Sequence, residues 1–281
     1  MDLKSILSLI VLWGFGIVVA LMLFVYPRYR RKKVDASPFP APWLQILRDS
    51  LPVYKRMWPD QQRELRQLIK RFLNSKEFVG CAGQTINDEI RVTIAAHACL
   101  LLVGRPSHEY QDLHTILVYP TGFVVNHEKH DEFGLVTEGE HFLIGESWGN
   151  GKVILAWDSV QQSVRNFADG QNVVLHEFAH QLDHESGVTN GAPLLYSKGA
   201  YADWSRVFSE EFLRLQHDSA HHHHTLIDEY GATNPAEFFA VVTETFYERP
   251  YELASRHPSL FEELMSYYRV DPREWQRVPG A

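Results

Sequence analysis

A long uncharged segment near the N-terminus constrains the architecture of this chain more than any other feature. No charged residue lies between Lys4 and Arg28, and the segment from Ile6 to Tyr26 is almost entirely apolar. Its length is close to the roughly 20 residues that a helix needs to cross about 30 Å of hydrocarbon. The segment therefore predicts one transmembrane helix ahead of a separate folded body.

A cleaved signal peptide is the alternative interpretation of this segment. The apolar stretch is longer than the usual signal-peptide core of about 7–15 residues, and it ends in bulky side chains instead of a small-residue cleavage pattern. The basic run RYRRKK follows at residues 28–33, and basic residues beside a first helix tend to stay in the cytoplasm. We therefore predict an anchor over 1–33, in the inner (cytoplasmic) membrane, with the body facing the cytoplasm.

The charge of the body excludes one class of partner. The net charge of the chain is −8, but residues 1–33 hold six basic residues and one acidic residue, which leaves 21 basic and 34 acidic residues elsewhere. Such an acidic body disfavours the neutralisation of phosphates on which general nucleic-acid binding depends. We expect no direct nucleic-acid partner. The two cysteines, Cys81 and Cys99, are too few for a disulfide framework.

The remainder of the chain is organised as a linker and one domain. Residues 34–42 (VDASPFPAP) contain three prolines and predict a short extended linker. The domain covers 43–281, without an internal repeat. Hydrophobic patterning predicts strands at 114–119 and 152–157 and helices at 60–73, 88–103, 172–184, 200–215, 234–247 and 259–268. Helices that flank a small sheet belong to the α+β class.

One helical segment carries a metal-binding pattern. In HEFAH, His176 and His180 lie one helical turn apart on the same face, so both imidazoles can bind one ion. Glu177 lies beside them, where it can receive a proton from metal-bound water. Most other residues of the segment are apolar, and burying two histidines and a glutamate there without a partner would be costly. The pattern therefore predicts the zinc site of an HExxH peptidase.

A catalytic zinc site needs a third protein ligand. The metzincin pattern, with glycine three and histidine six residues after the second histidine, is excluded because Asp183 and Ser186 occupy those positions. Asp183 or His184 could ligate from the same helix, but orienting a ligand histidine by a hydrogen bond is the role we favour for them. The third ligand is therefore expected on another helix.

The predicted helix at 234–247 offers two candidates. Asn234 as N-cap, Pro235 at the first position and Glu237 at the third form a capping box, which gives Glu237 a structural explanation. Glu244, seven residues further on, shares nearly the same face. Spacing alone leaves the choice between the two carboxylates open.

Several motifs in order resemble one bacterial family. HEFAHQLD, DEYGATNPAEFFAV, RVTIAAHACLLL and GNGKVILAWDSV together resemble the Mlc titration factor A family of zinc peptidases, over essentially all of the chain after the linker. YGATNPAEFFA is more distantly similar to the anthrax lethal factor catalytic domain. The resemblance implies a gluzincin-type fold in which His176, His180 and Glu237 hold one Zn²⁺, Glu177 is the general base and Tyr230 polarises the developing oxyanion.

The same resemblance makes Glu244 a carboxylate that supports the ligands. It also implies aminopeptidase-like cleavage of short peptides, although the sequence shows no carboxylate for recognising a free amine, so endopeptidase action stays open. The family name points to an alternative function, in which the chain captures a transcriptional regulator at the membrane with little or no hydrolysis. The membrane anchor departs from the soluble pattern of the family.

Two further segments have alternative interpretations. The run His221 to His224 predicts a solvated loop, because adjacent histidines in a loop lack fixed geometry; weak metal binding or control of access to the site is the alternative. The strand predicted at 152–157 is either a core strand or the strand to which an extended peptide substrate adds.

Overall fold

The computed structural model describes residues 12–19, 21–106, 110–130, 136–143, 145–148, 151–197 and 199–276; over 123–150 only the backbone is described. The chain divides into two units, Met1–Phe39 and Pro40–Ala281.

The first unit contains an apolar helix, α1, over Leu12–Ala36. By length and composition it can cross a membrane, since an 18-residue window within it has a mean hydropathy of 1.5, and a signal sequence would meet the same criteria. Large apolar side chains such as Trp13 and Phe15 are exposed. Residues 6–11 of the predicted transmembrane segment lie outside the described residues.

The predicted linker at 34–42 is only partly extended. The helix α1 continues to Ala36, and a second helix, α2, begins at Ala41. Only residues 37–40 lie between the two helices. The extended prediction was therefore wrong at both ends of the segment. Pro42 explains one end, since proline is well tolerated in the first turn of a helix and does not exclude one there.

The second unit consists of helices around a small sheet, as expected for the α+β class. Its helices are α2 (Ala41–Ser50), α3 (Pro59–Ser75), α4 (Asp88–Leu100), α5 (Trp157–Arg165), α6 (Val173–His184), α7 (Ala200–Ala220), α8 (Pro235–Glu248), α9 (Pro250–Arg256) and α10 (Pro258–Tyr268). A short 3₁₀ helix over Glu229–Ala232 connects α7 to α8. All six predicted helices are present, with ends shifted by up to five residues.

The sheet has four strands in the order β1-β2-β6-β5. These are β1 (Glu77–Gly80), β2 (Thr115–Tyr119), β5 (Gly145–Trp148) and β6 (Lys152–Ala156); β3 (Phe123–His130) and β4 (Val136–Leu143) form a separate antiparallel pair. Strand β6 pairs in parallel with β2 on one side and antiparallel with β5 on the other.

Strand β6 is therefore a core strand and not a docking strand for peptide. Both of its edges are hydrogen-bonded to neighbouring strands, so no backbone donors or acceptors remain there for a third strand. Its predicted last residue, Trp157, instead begins α5. Within the described sheet, the edge strand on this side is β5, which also contacts α6.

Two aromatic clusters fix the helices that carry the candidate site. Phe178 of α6 packs against Phe72 and Tyr110, with ring centroids 5.7 and 4.9 Å away. Trp204 of α7 lies 5.8 Å from Phe239 of α8. All these rings are buried, and each such burial contributes about 1.5–3 kcal/mol of hydrophobic free energy. The positions of α6 and α8 are therefore set by core packing.

Candidate metal centre

Helix α6 presents its two histidines one turn apart. Its N-cap is Asn172, whose Oδ1 accepts a hydrogen bond from the backbone N of Leu175 at 3.1 Å. Such a cap satisfies an N–H group that the helix itself leaves unpaired. The apolar residues Val174, Leu175, Phe178, Ala179 and Leu182 are buried. The apolar residues thus hold α6 in the core, while His176 and His180 share one face.

Helix α8 brings the carboxylates. Asn234 caps it by accepting hydrogen bonds from the backbone N of Ala236 and of Glu237, at 2.9 and 3.0 Å. The predicted N-cap is confirmed. The Glu237 side chain lies against the two histidines, so the carboxylate has a role beyond the capping that its position in the first turn suggested.

Three donor atoms form a small triangle. Glu237 Oε2 lies 3.0 Å from His176 Nε2 and 3.3 Å from His180 Nε2, and the two ring nitrogens are 3.2 Å apart. Ligands at about 2.0–2.1 Å from a tetrahedral zinc ion are about 3.3–3.4 Å from one another. Two nitrogens and one oxygen at these separations fit a single ion. We call His176, His180 and Glu237 the ligand triad.

Two members of the triad, Glu237 and His180, have charge states that suit a cation. Burial lowers the pKa of His176, but Glu244 and Glu237 outweigh burial and raise that pKa well above its usual value. Burial raises the pKa of Glu237, but its hydrogen bonds with His176 and His180 outweigh burial and bring that pKa to about 2. The Glu237 carboxylate is therefore ionised. Burial lowers the pKa of His180, which keeps its ring neutral, the form that binds a metal.

The second carboxylate of α8, Glu244, contacts the ring nitrogen of His176 that does not face the triad. Glu244 Oε1 lies 2.8 Å from His176 Nδ1, while the other ring nitrogen of His176 faces the triad. Glu244 is buried, and burial raises its pKa. A carboxylate at this position fixes the ring orientation of a metal-binding histidine.

Asn172 connects this carboxylate to the helix N-terminus. Its backbone N donates to Glu244, and its Nδ2 donates to Glu248 Oε1 and to His97 Nδ1, at 2.9 and 3.0 Å. His97 Nε2 in turn donates to the backbone O of Ser50 at 2.9 Å. Burial raises the pKa of Glu248 to about 8. Asn172, His97 and Glu248 were not predicted as site residues, although an asparagine before a helical pattern is a recognisable N-cap signal.

The predicted base and oxyanion donor both lie near the triad. Glu177 is 4% exposed, and its charge adds to the larger effects of Glu244 and Glu237 that raise the pKa of His176. The Tyr230 ring centroid is 6.0 Å from that of His176, and the side chain is half exposed. Burial, followed by the charges of Glu237 and Glu177, raises the pKa of Tyr230 to about 12. Its phenol therefore stays protonated at neutral pH.

Asp183 and His184 have other contacts than those expected from the sequence. Asp183 Oδ2 accepts a hydrogen bond from the backbone N of Gly191 at 2.7 Å, and His184 Nδ1 lies 3.2 Å from Thr189 Oγ1. These contacts anchor the segment that follows α6. The expectation that one of them orients a ligand histidine was wrong, because their hydrogen bonds go to this segment; the carboxylate that reaches His176 is Glu244.

Comparison with known protein families also indicates a metallopeptidase. A family model described as Glucose-regulated metallo-peptidase M90 matches residues 26–269. The chain belongs to the M90 metallopeptidase family. Membership confirms the resemblance to Mlc titration factor A and is consistent with a metal ion at the triad.

Individual relatives of this M90 member match over most of their length. An uncharacterized protein of Synechocystis sp. is 41% identical over 251 residues, which cover 88% of this chain and 91% of the relative. Mlc titration factor A of Klebsiella pneumoniae is 35% identical over 242 residues, 85% of this chain and 89% of the relative. Mlc titration factor A of Escherichia fergusonii is 35% identical over 234 residues, 82% and 86% respectively.

Proposed function

We propose that this chain is a zinc-dependent peptidase of the gluzincin type. The observation that carries the proposal is the triangle formed by His176 Nε2, His180 Nε2 and Glu237 Oε2, with sides of 3.0–3.3 Å. The donor set, two imidazoles and one carboxylate, is that of a catalytic zinc site, which leaves one coordination position open. A structural zinc site would instead use four protein ligands.

The chain supplies the groups that peptide hydrolysis requires. A bound zinc ion would supply Lewis acidity toward the substrate carbonyl and make water more acidic at neutral pH. Glu177 accepts the proton of the attacking water and later donates it to the leaving amine. Tyr230 donates a hydrogen bond to the oxygen on which negative charge develops. Its raised pKa keeps the proton for this role.

The peptide backbone would bind along β5. This strand lies at the edge of the described sheet and contacts α6, the helix of the catalytic residues. An extended peptide can add to such an edge through backbone hydrogen bonds, which need no particular side chains. This position supports cleavage of peptides of varied sequence; aminopeptidase action on short peptides, the form we favour, rests on the family resemblance.

A panel of matched chromogenic peptides tests the function. We expect the full-length protein in detergent to cleave alanine p-nitroanilide, to lose this activity on treatment with a chelator and to regain it when Zn²⁺ is restored. The acetylated substrate is the matched control, because an aminopeptidase requires the free amine and an endopeptidase does not. Activity that survives complete removal of the metal would contradict the proposal.

We propose that α1 is a membrane anchor and that the peptidase domain faces the cytoplasm. The apolar helix and the basic residues at 28–33 support this arrangement. In sealed inverted inner-membrane vesicles, added protease should digest the domain, whereas in right-side-out vesicles the domain should be protected. The reverse pattern would contradict the orientation, and recovery of the domain without α1 in the soluble fraction would show a cleaved signal sequence.

Capture of a regulator is a second candidate function. Two relatives of 35% identity bear the name Mlc titration factor A, which describes titration of Mlc. A chain on a membrane could sequester a transcriptional regulator away from DNA without hydrolysing it. If this were the sole function, a Glu177→Gln variant would capture the regulator as well as the unmodified chain does, and neither would cleave the peptide panel.

A further inference from the structure

A second group of potential metal ligands lies at the end of α7. Asp218 Oδ1 is 3.2 Å from His223 Nδ1 and 3.4 Å from His217 Nδ1. The three donor atoms all lie within 4.8 Å of one another. We call these three residues the His217 cluster. It shares no residue with the ligand triad.

The separations in this cluster suit ligation of one ion as well as hydrogen bonding. Ordinary N–H···O bonds in proteins have a donor–acceptor distance near 2.9–3.0 Å. Ligands bound tetrahedrally to zinc are instead about 3.3–3.4 Å apart. Asp218 Oδ1 makes both contacts, one of 3.2 Å, which is also within hydrogen-bond range, and one of 3.4 Å. The oxygen and the two nitrogens, all within 4.8 Å of one another, are close enough to share one ion.

Backbone hydrogen bonds build this geometry. The backbone N of His223 donates to the backbone O of Asp218 at 2.9 Å, which folds the chain back over the end of α7. His222 adopts the left-handed conformation, with φ of 54°, and so allows the reversal. The run of histidines was predicted to be a loop without fixed geometry. The structure instead gives its third residue a defined position against the helix.

A neighbouring ring restricts His217. His221 Nδ1 donates to the backbone O of His217 at 2.7 Å, and the two imidazoles stack with ring centroids 4.2 Å apart. This contact limits the orientations of the His217 side chain, so part of the entropy cost of ion binding is met in the fold. The C-terminal end of a helix also attracts cations, because its last carbonyl groups carry partial negative charge.

We infer that the His217 cluster is a second zinc site on the protein surface. His217 Nδ1, Asp218 Oδ1 and His223 Nδ1 are its ligands, and water completes the coordination. Imidazole nitrogens with a carboxylate suit zinc among the available divalent metals. Because His217 and His223 are both more than half exposed, this site exchanges its ion with solvent more readily than the ligand triad does.

Metal counting on matched variants tests the site. Full-length protein in detergent is dialysed to equilibrium against buffered Zn²⁺, and bound zinc is measured by mass spectrometry. We expect about two zinc ions per chain for the unmodified protein and about one for His217→Ala/His223→Ala. The control His222→Gly/His224→Ala removes two histidines of the same run but no ligand, and glycine retains the left-handed turn. It should still bind two.

Other outcomes decide against the site. The inference is overturned if the unmodified chain binds only one zinc ion, if His217→Ala/His223→Ala retains both, or if the control variant also loses one. In the last case the run would bind metal merely through its number of histidines. His180→Ala separates the two sites, since it should lose the zinc of the triad and retain the zinc of the cluster. Equal thermal unfolding of the cluster variant and its control would exclude misfolding.

Discussion

Glu177→Gln is expected to lower kcat/KM for peptide hydrolysis by about 10²–10⁴-fold while zinc content stays at the unmodified level. The range is the usual contribution of a general acid–base group. Glutamine retains the size and hydrogen-bonding capacity of the side chain but cannot accept the proton of water. Glu177 is not a member of the ligand triad, so the metal should remain bound. Kinetics and zinc content measured on the same preparation check both expectations.

Tyr230→Phe is the variant to compare with Glu177→Gln. It removes one hydroxyl from a half-exposed side chain, and loss of one oxyanion donor costs about 10²–10³ in kcat. KM should change little, because the hydrogen bond forms mainly in the transition state.

Peptide cleavage at the unmodified rate by Glu177→Gln would refute the proposed mechanism. A loss of zinc in that variant would instead assign Glu177 to metal binding.

Glu237→Gln is expected to abolish stoichiometric zinc binding and, with it, hydrolysis. The carboxylate is the anionic member of the triad, because hydrogen bonds with His176 and His180 outweigh burial and lower its pKa to about 2. A neutral amide gives a weaker ligand and leaves two histidines, which are too few for a catalytic zinc site. Zinc affinity is measured by competition with a chromogenic chelator, and activity on the peptide panel.

Glu244→Gln provides the matched comparison on the same helix. Glu244 contacts Nδ1 of His176, the ring nitrogen that does not face the triad. Its replacement should therefore weaken zinc binding by about 10–100-fold, the usual effect of removing a group that orients a metal ligand. The loss for Glu237→Gln should be larger. A greater loss for Glu244→Gln would exchange the roles of the two residues and would contradict the triad.

The sequence predicted the local part of the site well. HExxH spacing places His176 and His180 on one face because helical geometry depends only on residue number. Asn234 and Pro235 predict the start of α8 for the same reason, since caps act within one helical turn. The six predicted helices of the second unit followed from these periodic and capping signals. Strand β1, helix α5 and helix α9 were not predicted. They are short, and short segments carry too few residues for a periodic signal.

The sequence could not separate Glu237 from Glu244 without the family resemblance. Both lie on nearly the same face of α8, seven residues apart, and what distinguishes them is where α6 crosses that helix. The crossing depends on packing, for example of Phe178 against Phe72 and of Phe239 against Trp204. As a result, Glu244 contacts Nδ1 of His176, the ring nitrogen that does not face the triad. The two residues are 68 positions apart in the sequence. Likewise, the contact between Asp218 and His223 needs the chain reversal at His222.

The bonds of Asn172 have a consequence for how the protein acquires its metal. This one residue caps α6 and is tied to two carboxylates of α8, so the two helices that supply the triad are fixed to each other by contacts that involve no ion. A centre braced in this way is preformed, and loading does not require the chain to refold. The proportion of metal-loaded molecules in a cell would then follow the supply of the free metal ion, and the same molecule could be emptied and refilled repeatedly during its lifetime.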